Sequence, residues 1–197
     1  MKILVAAFIT LCATSSLAQI LVDEGWGSSS RQSLNSFSGS EALKAVKKIG
    51  IQTTLAGATG LAGLNLDINF TQDFAFSMGV GISRGFQAFN AHIKRSLGSG
   101  NVAPYFVGGY SRWYSVGAEE RVERTSPPLL ANKFLTAKER ATGIFAKDII
   151  YPGLGLQYLI TDGEMQGLGF FAEVMMLVDV NDLLAGGTGG IGSIYYF

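Results

Sequence analysis

Three observations predict an all-β fold for this chain, a closed, antiparallel, eight-stranded transmembrane β-barrel. The chain is apolar yet lacks a spanning helix. Charged residues make up 15 %, against ~25 % in an average soluble domain, and beyond the N-terminus no apolar run approaches ~20 residues. From Ile49 onward, eight segments alternate with period two between turn residues. The connections at one end are all short, and the one long connection falls at the other, as in membrane barrels. The 26 glycines, nearly twice the ~7 % norm, suit strands that present large side chains on one face only.

The eight segments run Ile49–Gly57, Leu61–Phe70, Asp73–Ser83, Phe86–Leu97, Val102–Ser115, Ile150–Ile160, Leu168–Val178 and Thr188–Phe197. Most are near the ~9–11 residues a tilted strand needs to cross a bilayer. In the second, Ala62, Leu64, Leu66, Ile68 and Phe70 share one face, opposite Leu61, Gly63, Asn65, Asp67 and Asn69. The third sets Phe74, Phe76, Met78, Val80 and Ile82 against Ala75, Ser77, Gly79, Gly81 and Ser83. The seventh sets Leu168, Phe170, Ala172, Val174, Met176 and Val178 against Gly169, Phe171, Glu173, Met175 and Leu177. One face is apolar and the other mostly small or polar. A soluble sandwich also alternates, so the ends of the chain, its turns and its aromatics must decide.

Residues 1–18 read as a secretory signal peptide: Lys2 gives the positive start, Ile3 to Ala13 the apolar stretch, and Ser16-Leu17-Ala18 the cleavage site before Gln19. Cys12 is the only cysteine and leaves with the signal, which excludes disulfides from the mature chain. Residues 19–48 read as a periplasmic leader. Gln19 to Ser40 lacks periodicity, and Glu41 to Lys48 reads either as a short helix or as a lead into the first strand. Residues 49–197 form the barrel.

The short connections Thr71-Gln72, Gly98 to Asn101 and Thr161 to Gly167 all follow even-numbered segments, and the long one, Val116 to Ile149, follows an odd one. Outer-membrane barrels have short periplasmic turns and longer outer loops. A first strand starting in the periplasm therefore puts the long connection outside. Phe70, Phe74, Tyr105, Tyr158, Phe170, Tyr195 and Phe197 then fall at periplasmic strand ends. All are assigned to the outward face, where a ring settles at headgroup level as an aromatic girdle. Trp113 is the clearest outer-leaflet candidate.

The sequence closes on Gly-Gly-Ile-Gly-Ser-Ile-Tyr-Tyr-Phe. Tyr195 and Phe197 resemble the C-terminal signature of bacterial outer-membrane barrels, although Ser193 stands where a larger apolar residue is usual. Val102–Tyr110 and Tyr151–Ile160 look like the fifth and sixth strands of the small outer-membrane β-barrel domain family, related in shape to the outer-membrane protein A barrel. The resemblance covers Ile49–Phe197 and implies location in the bacterial outer membrane. It also implies contact with outer-membrane lipid and lipopolysaccharide, and recognition of Tyr195 and Phe197 by the barrel-assembly machinery. It does not carry over the peptidoglycan-anchoring role of larger relatives.

An eight-stranded barrel has just enough interior for side chains to fill. The inferred inward set includes small residues such as Gly50, Gly79, Gly81 and Gly155, and polar ones such as Gln52, Asn65, Asn90 and Gln157. Its charged members are Asp67, Lys94, Arg112 and Glu173, with His92 beside them. Lone buried ions cost several kcal/mol, so strand direction suggests cross-barrel pairs Asp67–Lys94 and Glu173–Arg112. The alternative is that these groups reach water at the mouths unpaired.

No catalytic set emerges. Some outer-membrane lipid A deacylases pair a histidine with a serine two residues on, facing lipid. Here that position is Lys94, and the alternation turns His92 inward. One histidine and no mature cysteine leave no zinc set, and no cofactor is expected. Gly186-Gly187 and Gly189-Gly190 lack the lysine and context of a nucleotide loop. Zero net charge gives no reason to expect nucleic acid. The 116–149 connection carries Glu119, Glu120, Arg121, Glu123, Arg124, Lys133, Lys138, Glu139 and Arg140 around Pro127-Pro128, and reads as a solvated loop or a surface for an external ligand. The expected role is non-enzymatic, structural or surface-interacting, in a monomer. A lipid A-modifying enzyme and a narrow channel with a water path past Gly79 and Gly81 are the rivals.

Overall fold

A computed structural model of the chain describes residues 37–83, 85–115 and 133–197. The signal-peptide and Cys12 readings, most of the leader, and residues 116–132 lie outside the described residues. Eight strands close into one antiparallel barrel in sequence order, the last pairing with the first. They are β1 Ile49–Ala56, β2 Ala62–Asn69, β3 Phe74–Ser83, β4 Phe86–Ser96, β5 Val102–Tyr114, β6 Ala146–Leu159, β7 Leu168–Asp179 and β8 Ala185–Tyr196. Closure leaves no strand edge, so each strand is paired on both sides.

Period-two alternation now has two physical sides. Large apolar side chains point out from every strand, including Leu55, Leu66, Val80, Phe89, Phe106, Leu154, Val174 and Ile191, each 40–65 % exposed. Polar side chains point in: Gln52, Asn65, Asp67, Ser77, Asn90 and Ser111 are at most 2 % exposed. This is the reverse of a soluble domain, whose largest exposed apolar patch is typically ~300–600 Å².

The face assignment of β5 is inverted relative to the sequence reading. Tyr105 and Trp113 are buried inside at 3 % and 4 %, while Arg112 lies outside. Tyr105 therefore leaves the predicted girdle, and Trp113 is no outer-leaflet anchor. Both faces of this segment carry aromatics, so alternation alone did not choose between them, and a shift of one residue flips every side chain. Internal partners settle it: Tyr105 donates to Glu173 Oε1 at 2.6 Å, and Trp113 Nε1 donates to the Ala58 carbonyl at 2.7 Å.

The remaining girdle residues stay outside at one end. Phe70, Tyr158, Phe170 and Phe197 are exposed, and Phe74 and Tyr195 are half-buried. Phe70 stacks on Phe74, and Tyr195 meets Phe197 edge-on with centroids 5.3 Å apart. The outward polar set at the other end comprises Tyr110, Arg112, Tyr114, Gln87 and Asp148.

Candidate functional site

The charged centre of the lumen is Asp67, which is fully buried. β2 places it between Gly50 on β1 and Ser77 on β3. Lys94 on β4 reaches across to it, Nζ to Oδ1 at 2.9 Å. Tyr196 donates to its other oxygen at 2.7 Å, and Ser77 adds a third hydrogen bond. Lys94 also donates to Gln52 Oε1 and lies 5.7 Å from the centroid of the Phe171 ring. The structure thus brings Asp67 and Lys94 together. It does not bring Glu173 and Arg112 together: Glu173 is inside, hydrogen-bonded to Tyr105, while Arg112 sits outside, 3.5 Å from Asp148. The second expected pair fails for the same reason as the Tyr105 assignment, the inverted face of β5.

One rule organises the larger side chains of the lumen. Each of four luminal rings lies directly opposite a glycine on the neighbouring strand: Tyr105 with Gly155, Tyr151 with Gly109, Tyr196 with Gly50 and Phe171 with Gly192. A Cβ added at any of these glycines would collide with that ring. The glycines therefore supply floor space, and the rings fill a lumen only eight strands wide. Gly79 and Gly81 behave likewise. Their missing side chains make room for Asn65 and for the backbone of Thr59, so the water path past them is filled.

Both mouths are closed. At the girdle end, helix α1 (Ser40–Val46), within the stretch read as leader, packs into the barrel. Leu43 is fully buried in a cluster with Leu159, Ile194 and Tyr196. Lys44 Nζ donates to Ser96 Oγ at 3.1 Å and Gln157 Oε1 at 3.0 Å. Burial, and then the nearby Lys94 charge, push the Lys44 ammonium down to about 8. Lys47 donates to the Gln166 and Tyr196 carbonyls, and its ammonium is also lowered, by burial.

At the opposite mouth the β1–β2 connection turns inward. A 3-10 turn, Gly57–Thr59, buries Ala58 and Thr59. The Ala58 carbonyl accepts from Trp113 and from Ser111 Oγ. Above it, Phe134, Leu135 and Phe145 of the 116–149 connection are buried with Phe86 and Trp113. Helix α2 (Ala137–Thr142) starts on a capping box between Thr136 and Glu139. Lys147 then gathers Asp182 at 2.7 Å, Asp179 at 3.3 Å and Glu139 at 3.6 Å. Part of the connection expected to be solvated is therefore a packed cap.

This architecture has a solved counterpart. The barrel is similar to the N-terminal β-barrel domain of Pseudomonas aeruginosa OprF. The match has a TM-score of 0.54 at 12 % identity and covers 77 % of this chain and 98 % of that domain. At that identity the likeness is one of fold. No protein-family model matches the chain, and no curated protein matches it.

His92, the one residue that invites a catalytic reading, is 6 % exposed and inside the OprF-like barrel, its Nδ1 3.2 Å from the Tyr151 hydroxyl. Among the described residues no cluster of three or more His, Cys, Asp or Glu side chains is placed to hold a metal. Sequence reasoning missed Tyr105, Tyr151 and Tyr196 as luminal hydrogen-bonding groups. The signal was the glycine facing each across the predicted ladder, visible only once register is known.

Proposed function

We propose that this chain is an integral protein of the bacterial outer membrane, non-enzymatic, with a structural or surface-interaction role exercised from its capped outer end. The observation that carries this reading is the inverted polarity of the barrel. Apolar side chains encircle the outside, and an ion pair with its hydrogen-bond partners fills the inside. In water the first would aggregate; in lipid both are satisfied. The aromatic ring of Phe70, Tyr158, Phe170 and Phe197 marks the periplasmic interface. The outward Tyr110, Tyr114 and Arg112 mark the level of lipopolysaccharide headgroups. Tyr195 and Phe197 supply the element read by the barrel-assembly machinery, and the charged 116–149 connection offers the surface for an external ligand. The protein works as a monomer.

Two features support this role over the channel and lipid-enzyme alternatives. Both mouths are closed by packed side chains, and His92 is turned away from lipid. Cell fractionation with boiled and unboiled gels tests the proposal. The protein is expected in the outer-membrane fraction with a heat-dependent mobility shift, because a closed barrel resists detergent without heating. Recovery as a soluble periplasmic protein with no shift overturns it.

A further inference from the structure

Between the polar wall of β1, β2 and β4 and the aromatic wall of β6 and β7 lies a narrow cavity of about 20 Å³. Gln52, Asn65, His92, Tyr151 and Glu173 line it. Three of these lining residues carry buried atoms with no protein partner: Gln52 Nε2, both polar atoms of Asn65, and His92 Nε2. These three side chains are 0 %, 2 % and 6 % exposed, so bulk water does not reach them.

The surrounding bonds fix what an occupant must do. Gln52 Oε1 already accepts from Lys94, which leaves its NH₂ as a donor. His92 Nδ1 is engaged by the Tyr151 hydroxyl. Glu173 accepts from Tyr105 and has no ion-pair partner among the described residues. The cavity thus presents N–H donors from Gln52 and Asn65, and acceptors from the Asn65 carbonyl and Glu173. A bare metal ion would meet the donors head-on. A halide would satisfy the donors but stand against the Glu173 carboxylate. Water accepts and donates. The volume exceeds the ~10–15 Å³ one water requires.

We propose that the lumen holds a buried water. It bridges Gln52, Asn65 and His92 on one wall to Glu173 on the other, behind the seals formed by α1 and the Ala58 turn. This site does not depend on where the barrel resides, so its test is separate from the fractionation above.

The test is a high-resolution crystal structure of the full chain refolded in detergent, from sodium buffer and again from rubidium buffer. The expected result is one peak within hydrogen-bond distance of Gln52 Nε2 and Asn65 in both crystals, with no anomalous signal from rubidium. Asn65→Leu, which fills the space with apolar atoms, should remove the peak entirely. A rubidium signal at this position would make it a cation site and overturn the proposal. So would amides paired directly to each other with no density between them, or a peak unchanged in Asn65→Leu. Should that variant fail to fold, the two wild-type crystals decide.

Discussion

Replacing Asp67 with asparagine leaves the Lys94 ammonium inside the barrel without its counter-ion. Asp67 is 0 % and Lys94 8 % exposed, so neither is screened by solvent. Breaking a buried pair by removing one partner costs ~3–5 kcal/mol, because a charge is left uncompensated. Lys94 keeps its bond to Gln52 and its place over Phe171, which holds the expected loss near the lower limit, about 3 kcal/mol. The double variant Asp67→Asn/Lys94→Met removes both charges at similar volume and should lie within about 1 kcal/mol of the parent. Urea unfolding in phospholipid vesicles measures both, read by gel mobility of unboiled samples and by the fluorescence of buried Trp113. Equal losses in the single and double variants would refute the argument, since the cost would then come from packing or from the lost Tyr196 and Ser77 bonds. A single-variant loss below about 0.5 kcal/mol would refute it as well, by showing that Lys94 reaches water.

Gly155→Leu should destabilise by ~1–3 kcal/mol or block folding, since it overpacks the Tyr105 ring. Gly187→Leu, whose added Cβ meets nothing within 4 Å, should fold normally; the mobility shift compares the two. Leu66→Arg and Val174→Arg, on the outward face, should each cost ~2–4 kcal/mol in bilayers, and near-neutral values by urea titration would contradict the lipid-facing assignment. The folded-state value of Lys44, about 8, lies below its ordinary 10.5. Below pH 8 the lysine is charged both docked and free, and docking bears the full burial penalty. Between pH 8 and 10.5 the free state binds more protons, so docking strengthens as pH rises, by up to ~3 kcal/mol. Hydrogen exchange at the Leu43 and Lys47 amides should slow across that window relative to the intrinsic rate. Lys44→Met should remove most of that dependence and leave only the part that the lowered Lys47 ammonium supplies.

Most of the strand framework was legible because its signal is periodic. The outward sets of β2, β3 and β7 read directly from alternation, and every predicted segment lies within a few residues of an observed strand. Asp67 and Lys94 were also legible as a pair, since strand direction fixes height and both lie on faces with only one sensible orientation. β5 was not. Val102, Phe106, Tyr110 and Tyr114 on one side balance Tyr105, Val107 and Trp113 on the other, and hydrophobicity cannot rank two aromatic faces. What decides is a partner far along the chain: Glu173 for Tyr105, and the Ala58 carbonyl for Trp113. Pair-specific hydrogen bonds of this kind leave no periodic trace in the sequence.

The closures of the two mouths were hidden for a different reason. A short helix such as Ser40–Val46 is marginal on its own and exists because Leu43 finds Leu159, Ile194 and Tyr196. The cap at the mouth opposite α1 is built from single buried residues, Ala58, Phe134, Leu135 and Phe145. Each closure draws its stability from the barrel it closes, so its docking leaves no local pattern, although the helix itself was one of the two readings of Glu41 to Lys48. The consequence bears on function. A lumen packed with rings over glycines and stoppered at both ends has few ways to act through its interior, whereas the mouth opposite α1 carries the buried Lys147 cluster that anchors the described part of the long connection. An anchored cap holds its exposed side chains in fixed positions, which lowers the ordering cost of any contact made there. That is the physical reason to test for a contact at the surface above Trp113 and Phe134 and not within the pore-like shape of the fold.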